Sequence, residues 1–244
     1  MEGEAASLSM CVNYWRSDRH RGPQVTESWV RGNTTAKLSA YLDERGFGMP
    51  RSMLDVGASV GVSTQFLHEA FPGSEVTGLD LSPYFVAMAT YRARENDLPI
   101  RYIHANAEHT GLPSGSVDVI TVNYMLHEVP TEATKRILSE LHRLLRPGGV
   151  ILICDLDGDK VRDNFVVSSF RKWAFEVTEP HIYQYYQNDL LENLAGVGFD
   201  PSSLKKTAND PINALWLAQK AVEKGSAPAR PGMRVEGRVL EGRE

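Results

Sequence analysis

The chain has 244 residues, 42% hydrophobic and 23% charged, with a formal net charge of -5, enough for one sizeable core and without the basic footprint of a nucleic-acid partner. Its two cysteines are Cys11 in a polar leader and Cys154 in an apolar run, so no disulfide framework is expected and a reducing, cytoplasmic setting follows. No window approaches about 18 continuous apolar residues, and Glu2 and Glu4 speak against a secretory or transit peptide, so no membrane span is expected.

Residues 1–25 are polar and aperiodic and read as a flexible leader, with Tyr14 and Trp15 available to dock on the domain. Trp29, Val30, Leu38, Tyr41 and Leu42 predict an amphipathic helix ending at Gly46. That helix either covers a sheet edge or contributes to a lid. Strands and helices then alternate: strand 52–56, helix 62–70, strand 75–80, helix 84–95 and strand 100–105, with Pro72-Gly73 breaking the first helix from the second strand. A buried strand at 117–122 follows. Residues 131–145 form a helix with Ile137, Leu138, Leu141, Leu144 and Leu145 on one face, stopped by Pro147-Gly148-Gly149 before a strand at 150–155. Apolar strands separated by helices mean a parallel sheet covered on both faces.

Beyond Asp155 the pattern becomes irregular over 160–187, with Phe165, Phe170, Trp173, Phe175, Tyr183, Tyr185 and Tyr186. Asp189-Leu-Leu-Glu192 resembles a capping box opening a short helix that ends near Gly196 to Gly198. Late strands are expected at 203–207 and 214–219. From Glu223 onward, Gly, Pro and mixed charge read as a disordered tail. The domain is thus expected over 26–222.

The most informative stretch is Met53-Leu-Asp-Val-Gly-Ala-Ser-Val-Gly-Val-Ser-Thr64, followed by Gly78-Leu-Asp-Leu-Ser82. A strand leading through a glycine turn into a helix brings backbone N–H groups up to a small ligand, and Asp80, closing the next strand, lies where a ribose presents its hydroxyls. The carboxylate of Asp55 would repel a pyrophosphate and suits an amine or sulfonium.

On these residues the chain resembles a class I S-adenosylmethionine-dependent methyltransferase, in the small-molecule branch that includes quinone C-methyltransferases and related plant and cyanobacterial enzymes. Asp55, Gly57, Gly61 and Asp80 match the family loop and acid position by position, with Ser59 in place of the middle glycine. His104-Ala-Asn-Ala-Glu108 resembles the adenine-binding stretch, and Leu145-Arg-Pro-Gly-Gly149 fits the segment before a later strand. The resemblance implies a Rossmann-like α/β fold, a seven-stranded, mostly parallel sheet with helices on both faces and the last strand antiparallel. S-adenosyl-L-methionine is the implied cofactor. Asp55, Gly57, Ala58, Ser59 and Gly61 would hold its amino-acid end, Asp80 with Leu81 its ribose, and Asn106 and Ala107 with Glu108 its adenine; Asn123 completes the set. An asparagine such as Asn106 can equally cap a turn.

Methyl transfer from a sulfonium is an in-line displacement governed by positioning. His127, after the fourth strand, is the candidate base, with packing of the imidazole as the alternative. Glu128 either orients it or, as the favoured reading, caps the following helix. Thr178-Glu-Pro-His-Ile-Tyr-Gln-Tyr-Tyr186 lies where the family inserts its acceptor lid, which makes Glu179 and His181 further catalytic candidates and offers aromatic faces to a flat or cationic acceptor. Asp155-x-Asp157-x-Asp159 resembles a metal loop but lacks the calcium-hand glycine and distal glutamate, and the histidines lack zinc spacing, so no metal is expected. The expected reaction is methyl transfer to O, N or C of a small molecule by a monomer or homodimer. A nicotinamide oxidoreductase shares the strand, glycine turn and later acid, although the glycine spacing is wrong for it. A catalytically silent cofactor-binding subunit shares the fold.

Overall fold

A computed structural model describes residues 27–160 and 178–222. The leader, Cys11, the aromatics from Phe165 to Phe175 and the tail from Glu223 lie outside the described residues.

Seven strands form one sheet in the order β3-β2-β1-β4-β5-β7-β6: β1 (Ser52–Val56), β2 (Glu75–Asp80), β3 (Arg101–His104), β4 (Val117–Asn123), β5 (Leu145–Leu156), β6 (Lys205–Ala208) and β7 (Asn213–Gln219). The first five pair in parallel, while β7 lies antiparallel between β5 and β6. All seven residues of β4 are buried, as its apolar run requires of a central strand. Chain order reverses where β1 meets both β2 and β4, so the C-terminal ends of these strands open a crevice there.

Successive strand residues face opposite sides, giving two cores. Leu54, Ile120, Ile151 and Trp216 join one core with Ile137, Leu138, Leu141 and Leu144 of helix α4 (Thr131–Leu144) and Leu190 and Leu194 of α6 (Leu190–Gly196). Met53, Val119, Val150 and Leu217 join the other with Leu38, Tyr41 and Leu42 of α1 (Glu27–Glu44) and Leu67 of α2 (Val62–Ala70). Burying each such leucine or isoleucine contributes about 1.5 to 3 kcal/mol. Helix α3 (Pro83–Glu95) is capped by Ser82, whose Oγ accepts from Phe85 N, and a short α5 spans Ile182–Tyr186.

Several boundaries differ from expectation. Trp29 is 45% exposed and stands off the buried stripe of α1. Strand β5 begins at Leu145 rather than at residue 150, because Leu145 pairs with Val117 before the register shifts and resumes at Val119 with Val150. Residues 201–203 form a 3-10 turn, so β6 starts only at Lys205. Asp189 caps α6 as expected, accepting from Leu191 N and Glu192 N. Among the described residues, no helix is long and apolar enough to cross a membrane.

Candidate functional site

The turn after β1 is held by backbone geometry. Gly57, Ser59 and Gly61 all take left-handed conformations (φ 74°, 49° and 85°), which for Ser59 is uncommon and marks a site where the surroundings dictate the backbone. The N–H groups of Gly57 and Ala58 donate to Leu79 O at 2.9 and 3.0 Å, and Ser59 N donates to Asp80 Oδ2 at 2.7 Å. Asp80 Oδ1 accepts from Ser82 N at 2.8 Å. Burial raises the proton affinity of Asp80, partly offset by the N–H donors of Ser82 and Ser59. One carboxylate thus ties the loop to the end of β2 and retains lone pairs for a diol.

The glycines serve packing as well as ligand approach. A Cβ on Gly57 would lie 2.8 Å from Met125 Sδ, and one on Gly61 would lie 2.8 Å from Tyr102 Cζ. Tyr102 on β3 therefore underlies the loop, and burial pushes its phenol up to about 12.

Asp55 lies beneath this turn with no exposed surface. Its Oδ2 accepts from Ser63 Oγ (2.5 Å) and Thr64 Oγ1 (2.8 Å), its Oδ1 from Thr121 Oγ1 (2.8 Å) and Asn123 Nδ2 (3.1 Å). Four donors fill its lone pairs, so Asp55 braces β1, α2 and β4 and does not itself reach a ligand in this conformation. The neighbouring Asn123 Oδ1 and Ser59 Oγ are buried and without a hydrogen-bond partner, which is costly unless another group supplies one. They are acceptors of the kind an ammonium needs. Leu81, 64% exposed beside Asp80, offers an apolar face to a flat ring. Asn106 is exposed and caps its own turn, Oδ1 accepting from Glu108 N at 2.8 Å. Ala107 packs against the core, and Glu108 pairs with Arg136. This donor and acceptor set fits an amino acid joined to a nucleoside.

After β4 the chain turns through Tyr124, also left-handed (φ 53°), into a 3-10 turn at Leu126–Glu128. His127 is 7% exposed, its Nδ1 2.6 Å from Asp155 Oδ1, and its ring meets Tyr185 edge-on at 6.2 Å. Burial opposes a charged imidazole, but the hydrogen bond and charge of Asp155, with Glu128 and Glu179, outweigh it and raise the His127 pKa. Glu128 does not cap α4, whose N-terminal flank is Pro130 with no side-chain cap; Glu128 Oε1 stands 4.0 Å from His127 Nε2. Glu179 joins them, the three residues bringing one polar atom each within 4.8 Å of one another. His181 precedes α5 and accepts Tyr185 N at its carbonyl, with Nδ1 buried and unpartnered. It is outside the cluster formed by His127, Glu128 and Glu179.

Two of the three acids of the Asp155-x-Asp157-x-Asp159 stretch are used elsewhere. Asp155 holds His127, and the buried Asp157 pairs with Lys206 at 3.0 Å. Sequence reasoning missed the roles of Asp155, Tyr102, Met125, Ser63, Thr64 and Thr121. Hydroxyls beside or within apolar segments, Thr121 in β4 above all, were the available signal.

Fold and site together define an α/β protein with a seven-stranded sheet and a glycine-loop crevice at the C-terminal ends of β1, β2 and β4. A protein family described as a methyltransferase domain matches residues 54–153. A demethylmenaquinone methyltransferase of Thermus thermophilus is 30% identical over 106 residues, 43% of this chain and 47% of that protein. A ubiquinone biosynthesis O-methyltransferase of Nitrosococcus oceani is 27% identical over 186 residues, 70% of this chain and 77% of that one. The chain thus spans about half the length of the first relative and about three quarters of the second. In fold it is similar to geranyl diphosphate C-methyltransferase from Streptomyces coelicolor, solved with S-adenosyl-L-homocysteine (TM-score 0.57, 19% identity, 77% of this chain and 76% of that one). Residues 54–153 of the chain are thus similar to a methyltransferase domain, and its fold is similar to that of methyltransferases of known structure.

Proposed function

We propose that this protein transfers a methyl group from S-adenosylmethionine to an oxygen, nitrogen or carbon of a small molecule. The observation that carries this reading is Asp80 at the open end of β2, linked to the glycine loop through Ser59 N–H, with the unpartnered Asn123 Oδ1 at the C-terminal end of β4. The bound cofactor supplies an electrophilic methyl on sulfur. Asp80 would accept from the ribose hydroxyls, and Leu81 with Asn106 and Ala107 would form the adenine side. Asn123 Oδ1 and Ser59 Oγ would accept from the ammonium, with Asp55 holding the Asn123 side-chain amide, Asp80 the Ser59 N–H, and Gly57, Ala58 and Gly61 shaping the turn.

On the acceptor side, His127 takes a proton, with Glu179 close enough to orient the acceptor. The names of the quinone-pathway relatives support a small-molecule acceptor. A cytoplasmic setting is part of this reading.

Calorimetry and thermal shift test the reading. S-adenosylmethionine at 100 times its dissociation constant should add about 2.7 kcal/mol of stability, and a mass-spectrometric screen of small molecules should find a gain of one methylene. Stabilisation by NAD(H) with none by S-adenosylmethionine would overturn it; binding without turnover in the screen would point to a silent subunit.

A further inference from the structure

Methyl transfer to a protonated nucleophile requires a destination for the proton, and the inference here rests on the methyltransferase reading. Asp155 is the penultimate residue of β5 and has no exposed surface. Its Oδ2 accepts from Leu126 N at 3.0 Å and its Oδ1 from Leu156 N at 2.8 Å. The carboxylate is thereby fixed in orientation, with Oδ1 2.6 Å from His127 Nδ1. A carboxylate can only accept in this contact, so Nδ1 carries the hydrogen and Nε2 presents its lone pair. Nε2 is directed toward the side where Glu128 Oε1 lies, at 4.0 Å and beyond hydrogen-bond reach, and where Glu179 approaches.

We propose that Asp155 is a positioning residue that holds His127 in its Nδ1–H form, so that Nε2 removes the proton of a hydroxyl acceptor as its oxygen is methylated. The acceptor oxygen forms a bond to the methyl carbon while the carbon–sulfur bond breaks, its electron pair remaining on sulfur as the neutral thioether. The O–H proton passes to Nε2 and then to solvent.

A hydroxyl is the acceptor that most needs this arrangement. A phenol loses its proton only near pH 10 when free and attacks well only as that proton leaves, whereas a neutral amine already presents a lone pair. The groups facing His127 are Asp155 from β5, Glu128 from its own turn, Glu179 from the stretch before α5 and the edge of Tyr185. The three acids favour the imidazolium that forms during transfer, and Glu128 and Glu179 disfavour an anionic group on the acceptor beside Nε2.

Two measurements on the full chain test this. Long-range proton–nitrogen NMR with S-adenosylhomocysteine present, assigned with His127→Gln, should show His127 protonated at Nδ1 and bare at Nε2 at high pH. Asp155→Asn should mix or invert that tautomer and lower the titration midpoint by about one unit or more. In the second, radiolabelled methyl transfer is followed with catechol and aniline as probes. Label should appear on catechol oxygen, and Asp155→Asn should cut turnover about 10- to 10⁴-fold and move the rising limb of the pH profile to lower pH, with cofactor affinity unchanged.

An unchanged tautomer and midpoint in Asp155→Asn would overturn the proposal. So would label on aniline nitrogen alone, no label on catechol, or a requirement for a divalent cation abolished by EDTA. Should Asp155→Asn not fold, the unmodified protein still decides, since a hydrogen on Nε2 with a bare Nδ1 contradicts it. The NMR result is independent of turnover, so failure of the pairing is distinguishable from failure to bind S-adenosylmethionine, which would remove the broader reading.

Discussion

Replacing Gly61 with alanine should destabilise the fold through Tyr102, and the size of the effect can be built from the structure. At φ 85° an L-residue is strained, costing roughly 1 to 2 kcal/mol. The new Cβ would also lie 2.8 Å from Tyr102 Cζ. The ring cannot slide away along the sheet, because a Cβ position on Gly78 is already only 2.5 Å from both Tyr102 Cδ1 and Cε1. Tyr102 is thus sandwiched against two glycines, and overpacking of this sort costs about 1 to 3 kcal/mol. The expected loss is about 2 to 5 kcal/mol, a large share of a typical domain's stability of about 5 to 15. In a Tyr102→Leu background the steric part disappears and about 1 to 2 kcal/mol should remain. Urea denaturation of the four proteins closes the cycle, with an expected coupling of about 1 to 3 kcal/mol. Equal cost of Gly61→Ala in both backgrounds would refute the claim that β3 dictates glycine at this position.

The loop was legible because its signals are contiguous. An apolar strand, left-handed turn residues and a helix follow one another within 52–70, and the helix occupies Val62–Ala70 as expected. Asp80 could be placed because β2 ends on it. The contact between His127 and Asp155 is separated by 28 residues and exists only because β4 and β5 pair with Asn123 opposite Cys154, which sets the following residues side by side. Without strand order, Asp155 reads as the first of three alternating acids. Asp55 shows a different limit, since its type and position were readable, yet its four partners come from α2 and β4 and turn a presumed ligand contact into an internal brace. At Leu145, a strand that begins within one residue of a helix end and crosses Pro147-Gly148 leaves no hydropathy signal; the pairing with Val117 reveals it.

The remaining predictions concern binding, chemistry and acid stability. Asp80→Ala should weaken S-adenosylmethionine binding by about 1 to 3 kcal/mol in calorimetry, because ribose hydroxyls lose a charged acceptor; unchanged affinity would remove Asp80 from the site. His127→Ala should lower turnover about 10²- to 10⁴-fold with little change in cofactor affinity. Because the His127 pKa is raised above 6.5, the rate should climb through a midpoint above that value, and a variant with the same profile would make the imidazole structural. Glu140 offers the last test. It accepts from Thr110 N and Oγ1 at 2.9 and 2.6 Å and from Arg143 Nε and Nη2 at 2.7 Å each, joining α4 to the loop after β3 that carries Asn106. Arg143 first, then Thr110 against the cost of burial, holds its carboxyl down at about 2 from an ordinary 4.5. A depressed carboxyl contributes stability that is fully present above the unfolded value and lost as pH falls through the folded one. The loss should therefore run from about pH 4.5 to about 2. Glu140→Gln keeps the shape but not the charge, so it should cost about 1.5 to 3 kcal/mol at neutral pH and flatten the decline of stability between about pH 4.5 and 2. Denaturation midpoints that fall with pH as steeply in Glu140→Gln as in the parent would show that the acid sensitivity arises elsewhere.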